Sequence, residues 1–223
     1  MIGVLIGLGF ALAMPPGYKG KPFQDRFHKS GPQVIPGTLE CALYDLGGEG
    51  VAYHDADEAN QDAKLNHTEF MSGGRNGVLT KHCRPGTPEY TCYFRENEGV
   101  DIPYTKDFAD FSHPNLFDPP KKQLYVGWEE EGEWTNYTVR VKKAARYKIT
   151  ALYGSADNVI RFDIDNKPAS ECRLPVNTGS PHKWNKAEIG EITFEKTGLR
   201  LLTVHYGKGN NLAYLEFALA EEK

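Results

Sequence analysis

The sequence predicts an all-β protein, a two-sheet antiparallel β-sandwich of the jelly-roll type, on three observations. From residue 133 to 219, apolar and polar residues alternate with period two in a succession of short runs. Turn residues such as Asp165-Asn166-Lys167 and Thr197-Gly198 separate those runs at short intervals. No ten-residue segment holds a helical period, while glycine (23), proline (14) and tyrosine (12) are plentiful enough for many short strands joined by turns.

Ile2 to Ala13 is apolar and ends in the small residues Ala11-Leu12-Ala13. It is too short to span a bilayer, and the first positive charge is Lys19, so the basic start of a typical leader is missing. Residues 1–14 therefore read as an atypical secretory signal, and the protein is expected to be secreted or periplasmic. Residues 15–35 are aperiodic and rich in Pro, Gly and charge, as in an extended arm or linker. The folded domain is expected over 36–223.

Within it, Pro36–Tyr44 is the first strand and Asp45–Gly50 a turn, with a short extended piece at Val51–Tyr53. Residues 56–120 read as insertions, polar and irregular, with one strand pattern at Tyr90–Ile102; loops of this length inside a compact domain are often functional. The most regular stretch is Val126–Tyr153. Tyr137, Val139 and Val141 alternate with Thr138 and Arg140, and Tyr147, Ile149, Ala151 and Tyr153 with Lys148 and Thr150. The short basic break at Lys142–Arg146 predicts a β-hairpin with one buried face. Val159–Ile164 and Ala169–Leu174 follow, then Lys186–Phe194 paired with Leu199–Tyr206, then Asn211–Leu219. In that last strand Leu212, Tyr214 and Glu216 are expected on one face and Ala213, Leu215 and Phe217 on the other.

The formal charge of −4 and the lack of a basic stripe argue against a nucleic-acid partner. The four cysteines, after a signal-like segment, suggest disulfides. Cys83 and Cys92 flank the turn Arg84–Pro88 and fit a bridge across a hairpin tip, leaving Cys41 and Cys172 to pair by default. The seven histidines show no metal-ligand spacing, and phosphate-loop and nucleophile-elbow motifs are absent. Glu129, Glu130, Glu131 and Glu133 form an acidic run beside Trp128. It reads as a solvated loop, the alternative being a pair of glycosidase carboxylates, one of which would need an apolar pocket.

Several ordered blocks resemble carbohydrate-binding module family 6. They are Ile35-Pro36-Gly37-Thr38-Leu39-Glu40 with Tyr44-Asp45 and Gly47–Asp55, then Glu98–Ile102, then Val126-Gly127-Trp128 with Gly132-Glu133-Trp134 and Tyr137-Thr138-Val139, and finally Asn211–Leu215. The resemblance implies a jelly roll that binds polysaccharide or oligosaccharide without cleaving it, often beside a glycoside hydrolase. It implies a loop-end cleft in which aromatics stack on the apolar face of a sugar ring and an asparagine bonds its hydroxyls. The first aromatic falls on Trp128 and the asparagine on Asn211. Pro181 stands where the family has its second cleft tryptophan, so Tyr53 or His182 is expected to close the far wall, with Glu133 bonding another hydroxyl. Trp184 matches the later, more structural tryptophan. Some family members use the concave sheet face instead.

The family's structural calcium uses two glutamates and an aspartate. Only Glu40 remains here, with Ala42 and Ala213 at the other positions, so Glu40 is the sole side-chain metal-ligand candidate; no cofactor is expected to be required, and a structural calcium would have to rely on backbone carbonyls. Two other readings compete. One is a small jelly-roll glycosidase or lyase using the Glu129–Glu133 carboxylates; the other is a degenerate module serving as a structural or protein-interaction domain.

Overall fold

The computed structural model describes residues 14–25, 31–56, 94–95, 97–103, 105, 114–120, 123–154 and 158–221. The signal-like residues 1–13, the Cys83–Cys92 bridge and most of the 56–120 insertions lie outside the described residues. Two sheets face each other. One holds β1 (Gln33–Ile35), β3 (Tyr53–His54), β4 (Trp134–Val141), β6 (Val159–Ile164), β7 (Lys167–Arg173) and β9 (Gly198–His205), in the order β1-β4-β9-β6-β7 with β3 also on β4. The other holds β2 (Gly37–Glu40), β5 (Ala145–Gly154), β8 (Asn185–Phe194) and β10 (Asn211–Leu219), in the order β2-β10-β5-β8. Every strand pair is antiparallel except β1 on β4.

The alternating residues supply the core. Tyr137, Val139, Phe162, Leu202 and Val204 of the first sheet pack with Ile149, Ala151, Phe194, Leu215 and Phe217 of the second. Fully burying each large apolar side chain contributes about 1.5–3 kcal/mol. A smaller cluster of Tyr125, Leu152, Trp184, Ala213 and Tyr214 lies on the opposite face of β5 and β10. There the Tyr125 and Trp184 rings meet edge to face at 5.0 Å, and the Trp184 carbonyl receives the amides of Leu116 and Phe117. Trp184 is thus a packing residue, as the resemblance implies.

From β4 on, the strand boundaries follow the sequence pattern closely; the strand expected at Tyr90–Ile102 is turn and bend where it is described, with one bridge at Asp101, and two pairings differ. The expected hairpin is not one: β4 and β5 lie in different sheets, and residues 142–144 carry the chain across the sandwich. Alternation reports which face of a strand is buried, not which strand lies beside it. The Lys142 amide donates to the Ile35 carbonyl at 2.8 Å, prolonging β4 along β1, while Tyr147 Oη donates to the Lys143 carbonyl at 2.6 Å. Likewise β8 and β9, expected to pair, belong to opposite sheets. In β10 a bulge between Leu212 and Tyr214 shifts the alternation. Leu212 therefore joins Leu215 and Phe217 in the main core, and Tyr214 faces away with Ala213.

The segment expected as an arm is built into the domain. Gln33–Ile35 is β1, Lys21 bridges Leu46, and Phe23 is buried in the core. Arg95 stacks over the rings of Phe23 (5.0 Å) and Tyr44 (3.4 Å), pinning the segment to the β2–β3 region.

Cys41 and Cys172 are free and buried, so the default pairing does not form. Cys41 follows β2, one edge of the four-stranded sheet, while Cys172 Sγ packs on Gly190 of β8, the other edge. Three inter-strand gaps of about 4.8 Å separate those edges, and a disulfide needs Cα atoms within about 7 Å. Alkylation of the denatured, unreduced protein should label both residues. Recovery of a Cys41–Cys172 linked peptide would contradict the structure.

Candidate functional site

Trp128 stands at the loop end of the sandwich with backbone φ of +53° and its side chain 42% exposed. A left-handed tryptophan costs on the order of 1–3 kcal/mol and persists only where its surroundings impose it. Here they do. The Val126 and Leu212 amides each donate to the other's carbonyl at 2.9 and 2.8 Å. The Gly127 amide donates to the Asp101 carbonyl at 2.9 Å, and the Gly209 amide to the Glu129 carbonyl at 2.7 Å. The chain is thus fixed on both sides of a large aromatic that is held out from the core.

Beside Trp128 is a cleft of about 250 Å³. Three segments meet in it: Trp128–Glu130, Pro181–His182 and Lys208–Asn211. Asn211 Nδ2 donates to the Pro181 carbonyl at 2.8 Å and ties the second segment to β10. Glycine is required at two points of this convergence. A Cβ on Gly154 would overlap the Pro181 carbonyl oxygen, and one on Gly127 would lie 2.9 Å from Asn211 Oδ1 and from the Tyr125 ring.

Of the five candidate ligand residues, the structure brings Trp128, His182 and Asn211 together around this cleft. It keeps two away. Tyr53 is buried in the core, edge-on to Tyr44, and its Oη accepts the Gly99 amide at 3.2 Å. Glu133 is also buried. Its Oε2 accepts the Glu130 amide at 2.8 Å and its Oε1 the Ala56 amide at 3.0 Å, so the carboxylate holds the turn after Trp128. Asn211 already commits one amide hydrogen to Pro181, which leaves it less free to bond a ligand than the resemblance implies.

The acidic run is not uniformly solvated. Glu131 is exposed and Glu130 pairs with Lys208 at 3.0 Å, but Glu129 is buried and lines the cleft. Burial pushes the Glu129 carboxyl well above the usual carboxylate range, with the Glu133 charge adding to the effect. Burial likewise raises Glu133 to about 7, against the two backbone amides that favour its charged form. Both shifts make the folded protein bind protons more tightly than the unfolded chain. The stability they contribute is therefore present below the usual carboxylate pKa and is lost as pH rises. For Glu133 the window runs from about 4.5 to about 7 and is worth on the order of 3 kcal/mol. Melting temperature should fall as pH is raised from 5 to 8, and Glu133→Gln should flatten that slope; a melting temperature rising over this range would contradict it.

A second concavity, of about 500 Å³, lies on the outer face of β4, β9 and β6. It presents Trp134, Asn136, Thr203, His205 and Asp163, with Tyr18 at one wall. Its polar groups are largely engaged with one another. Thr203 Oγ1 donates to Asn136 Oδ1 at 2.6 Å, Asn136 Nδ2 donates to the Val51 carbonyl, and His205 Nε2 meets Asp163 Oδ2 at 3.1 Å.

The residues at the calcium position do not fit that ion. Glu40 Oε2 accepts from Gln123 Nε2 at 2.6 Å, while Ala42 and Ala213 are buried without offering a side-chain oxygen. Among the described residues no group of three or more His, Cys, Asp or Glu could hold a metal ion. Also among the described residues, no helix is long and apolar enough to cross a membrane.

Residues 120–217 match the family model described as carbohydrate binding module (family 35). No curated protein matches the chain. Similar solved structures include a carbohydrate-binding module from Cellvibrio mixtus lichenase 5A in complex with cellotriose, at 16% identity and TM-score 0.42, covering 55% of this chain and 88% of that one. A Bacillus subtilis family 43 arabinoxylan arabinofuranohydrolase in complex with cellotetraose also matches at 16% identity and TM-score 0.41; the match covers 55% of this chain but only 25% of the enzyme. A Podospora anserina GH26-CBM35 β-(1,4)-mannanase matches at 10% identity and TM-score 0.37, with 56% of this chain and 28% of that one covered.

Proposed function

We propose that the chain, whose residues 120–217 match a carbohydrate-binding module family, binds a glycan in the Trp128 cleft without cleaving it. The observation that carries this reading is Trp128 itself. A large apolar ring is held exposed in a costly backbone conformation, over a cleft that also contains His182 and Asn211. Sugar rings present a C–H face that stacks on such a ring and a rim of hydroxyls for polar partners. His182 takes the position of the second wall.

The non-catalytic part of the reading rests on the acids. Glycoside hydrolysis needs a pair of carboxyl groups flanking the scissile bond, one to protonate and one to attack or activate water. Glu133 has both oxygens bonded to backbone amides, and Glu130 is paired with Lys208. That leaves Glu129 without a second free carboxyl in the cleft. Service beside a glycoside hydrolase, and calcium-independent binding, belong to the same reading.

Affinity electrophoresis against xylan, β-glucan, mannan, agarose and chitin tests it, combined with an assay for new reducing ends. Retardation by at least one polysaccharide, with no reducing ends released and no change on adding chelator, is expected. Release of reducing ends would replace this reading with the glycosidase, and no retardation by any polysaccharide would remove it.

A further inference from the structure

Five buried side-chain polar atoms find no hydrogen-bond partner among the described residues, and four of them belong to Glu129 and Asn210. Buried polar atoms are almost always paired, so four at one place call for a partner from outside the chain. Both residues line the Trp128 cleft, and their side-chain polar atoms are shut off from solvent. Local looseness is not the cause. The neighbouring Glu133 is satisfied at both oxygens, Asn211 is bonded to Pro181, and the Glu129 backbone is tied to Gly209.

We propose, on the basis of the glycan-binding reading above, that Glu129 and Asn210 form the polar floor of the cleft and hydrogen-bond the hydroxyls of an uncharged glycan. The charge of the ligand follows from what surrounds the floor. The groups that interact electrostatically with Glu129 include Glu133, Cys41, Tyr137 and Tyr206, none of them a cation. The rim carries His182 and Lys208, of which Lys208 is solvent-exposed and paired with Glu130. Burial therefore favours the neutral form of Glu129, which can donate one hydrogen bond and accept others, as the Asn210 amide can. Hydroxyl groups match that set because each both donates and accepts. A uronate at the floor would bring a negative charge against a buried acid, with the only lining lysine out on the rim and already paired. Ligand entry turns the two side chains toward the cleft, a rotamer change of the kind common at binding surfaces.

The test is calorimetric titration of the whole chain with cellotetraose, xylotetraose and mannotetraose, and with trigalacturonate, alongside thermal melts. The best neutral oligosaccharide should bind at least tenfold more tightly than trigalacturonate. Glu129→Leu should melt no lower than wild type, since it removes unpartnered buried atoms, and should weaken that binding at least tenfold. Glu129→Gln, which keeps a neutral donor and acceptor, should bind within about threefold of wild type, and Asn210→Ala should act in the same sense as Glu129→Leu. A Glu129→Leu protein that binds normally while Trp128→Ala does not would overturn the floor and leave the glycan reading standing. One that melts lower or fails to fold would make Glu129 a residue of the fold. Preference for trigalacturonate would overturn the ligand class, and no binding by wild type would overturn both proposals.

Discussion

Replacing Arg95 by methionine should lower stability by about 3–5 kcal/mol, because it strips the partner from a buried ion pair and from two carbonyls at once. The Arg95 side chain is 4% exposed. Its Nε and Nη2 donate to Glu98 Oε2 at 3.1 and 2.9 Å, its Nη1 to the Tyr44 carbonyl at 2.6 Å and its Nη2 to the Asp45 carbonyl at 2.8 Å. The guanidinium also covers Tyr44, whose Oη donates to the same Glu98 oxygen at 2.8 Å. Methionine would restore the bulk but none of the donors. It would leave the Glu98 carboxylate with Tyr44 Oη but no counter-charge, and two carbonyls without their donor, beside the chain segments that carry Phe23 and β2. For a chain of this size the loss corresponds to a melting temperature lower by roughly 10 °C. Lysine should recover little, since one ammonium cannot reproduce a planar fork that meets three oxygens and a ring face. A Met variant melting within a degree or two of wild type would mean that these contacts stabilise nothing.

That arrangement also shows what the sequence conceals. Arg95 sits in Tyr90–Ile102, which reads as a strand pattern, and nothing local marks it as buried. The regular strands were readable because period-two alternation is a local signal: β4 to β10 begin and end within a few residues of the expected positions. Their partners were not readable, since a three-residue turn serves a hairpin or a crossing between sheets equally well. The same division holds at the cleft. Trp128 and Asn211 were found through ordered blocks of resemblance and His182 beside the departure at Pro181, and the three converge in space. Tyr53 was not separable from a ligand aromatic by sequence, because an aromatic at a short strand end suits a core or a platform. Glu129 was hidden by its neighbours. Four acids within five residues read as a wet loop, and only the backbone bond from Gly209 to its carbonyl, with Trp128 turned outward just before it, reveals that one of them points inward. In β10 a single bulge between Leu212 and Tyr214 put Leu212 and Ala213 on the faces opposite to those expected and left Tyr214 to Phe217 as read.

Removing the Trp128 ring should cost about 2–4 kcal/mol of glycan binding, the scale of a central aromatic hot spot, which is roughly 30- to 1000-fold in affinity. The fold should hardly respond. The ring is 42% exposed, so it contributes little to the core, and the strands on either side are held by backbone bonds that its loss does not touch. The backbone offers a sharper version of the test. At φ of +53° a glycine is unstrained where a tryptophan is not, so Trp128→Gly should relieve on the order of 1 kcal/mol while abolishing binding. A residue whose replacement by glycine stabilises the protein and removes its ligand is kept for the ligand. The contrasting variant is Trp134→Ala, on the outer face of β4 within the larger concavity. If the cleft is the site, Trp134→Ala binds normally in the same titration. Binding that survives in Trp128→Ala and fails in Trp134→Ala would move the site to the sheet face. An unfolded Trp128→Ala would make the ring part of the fold, contrary to its exposure.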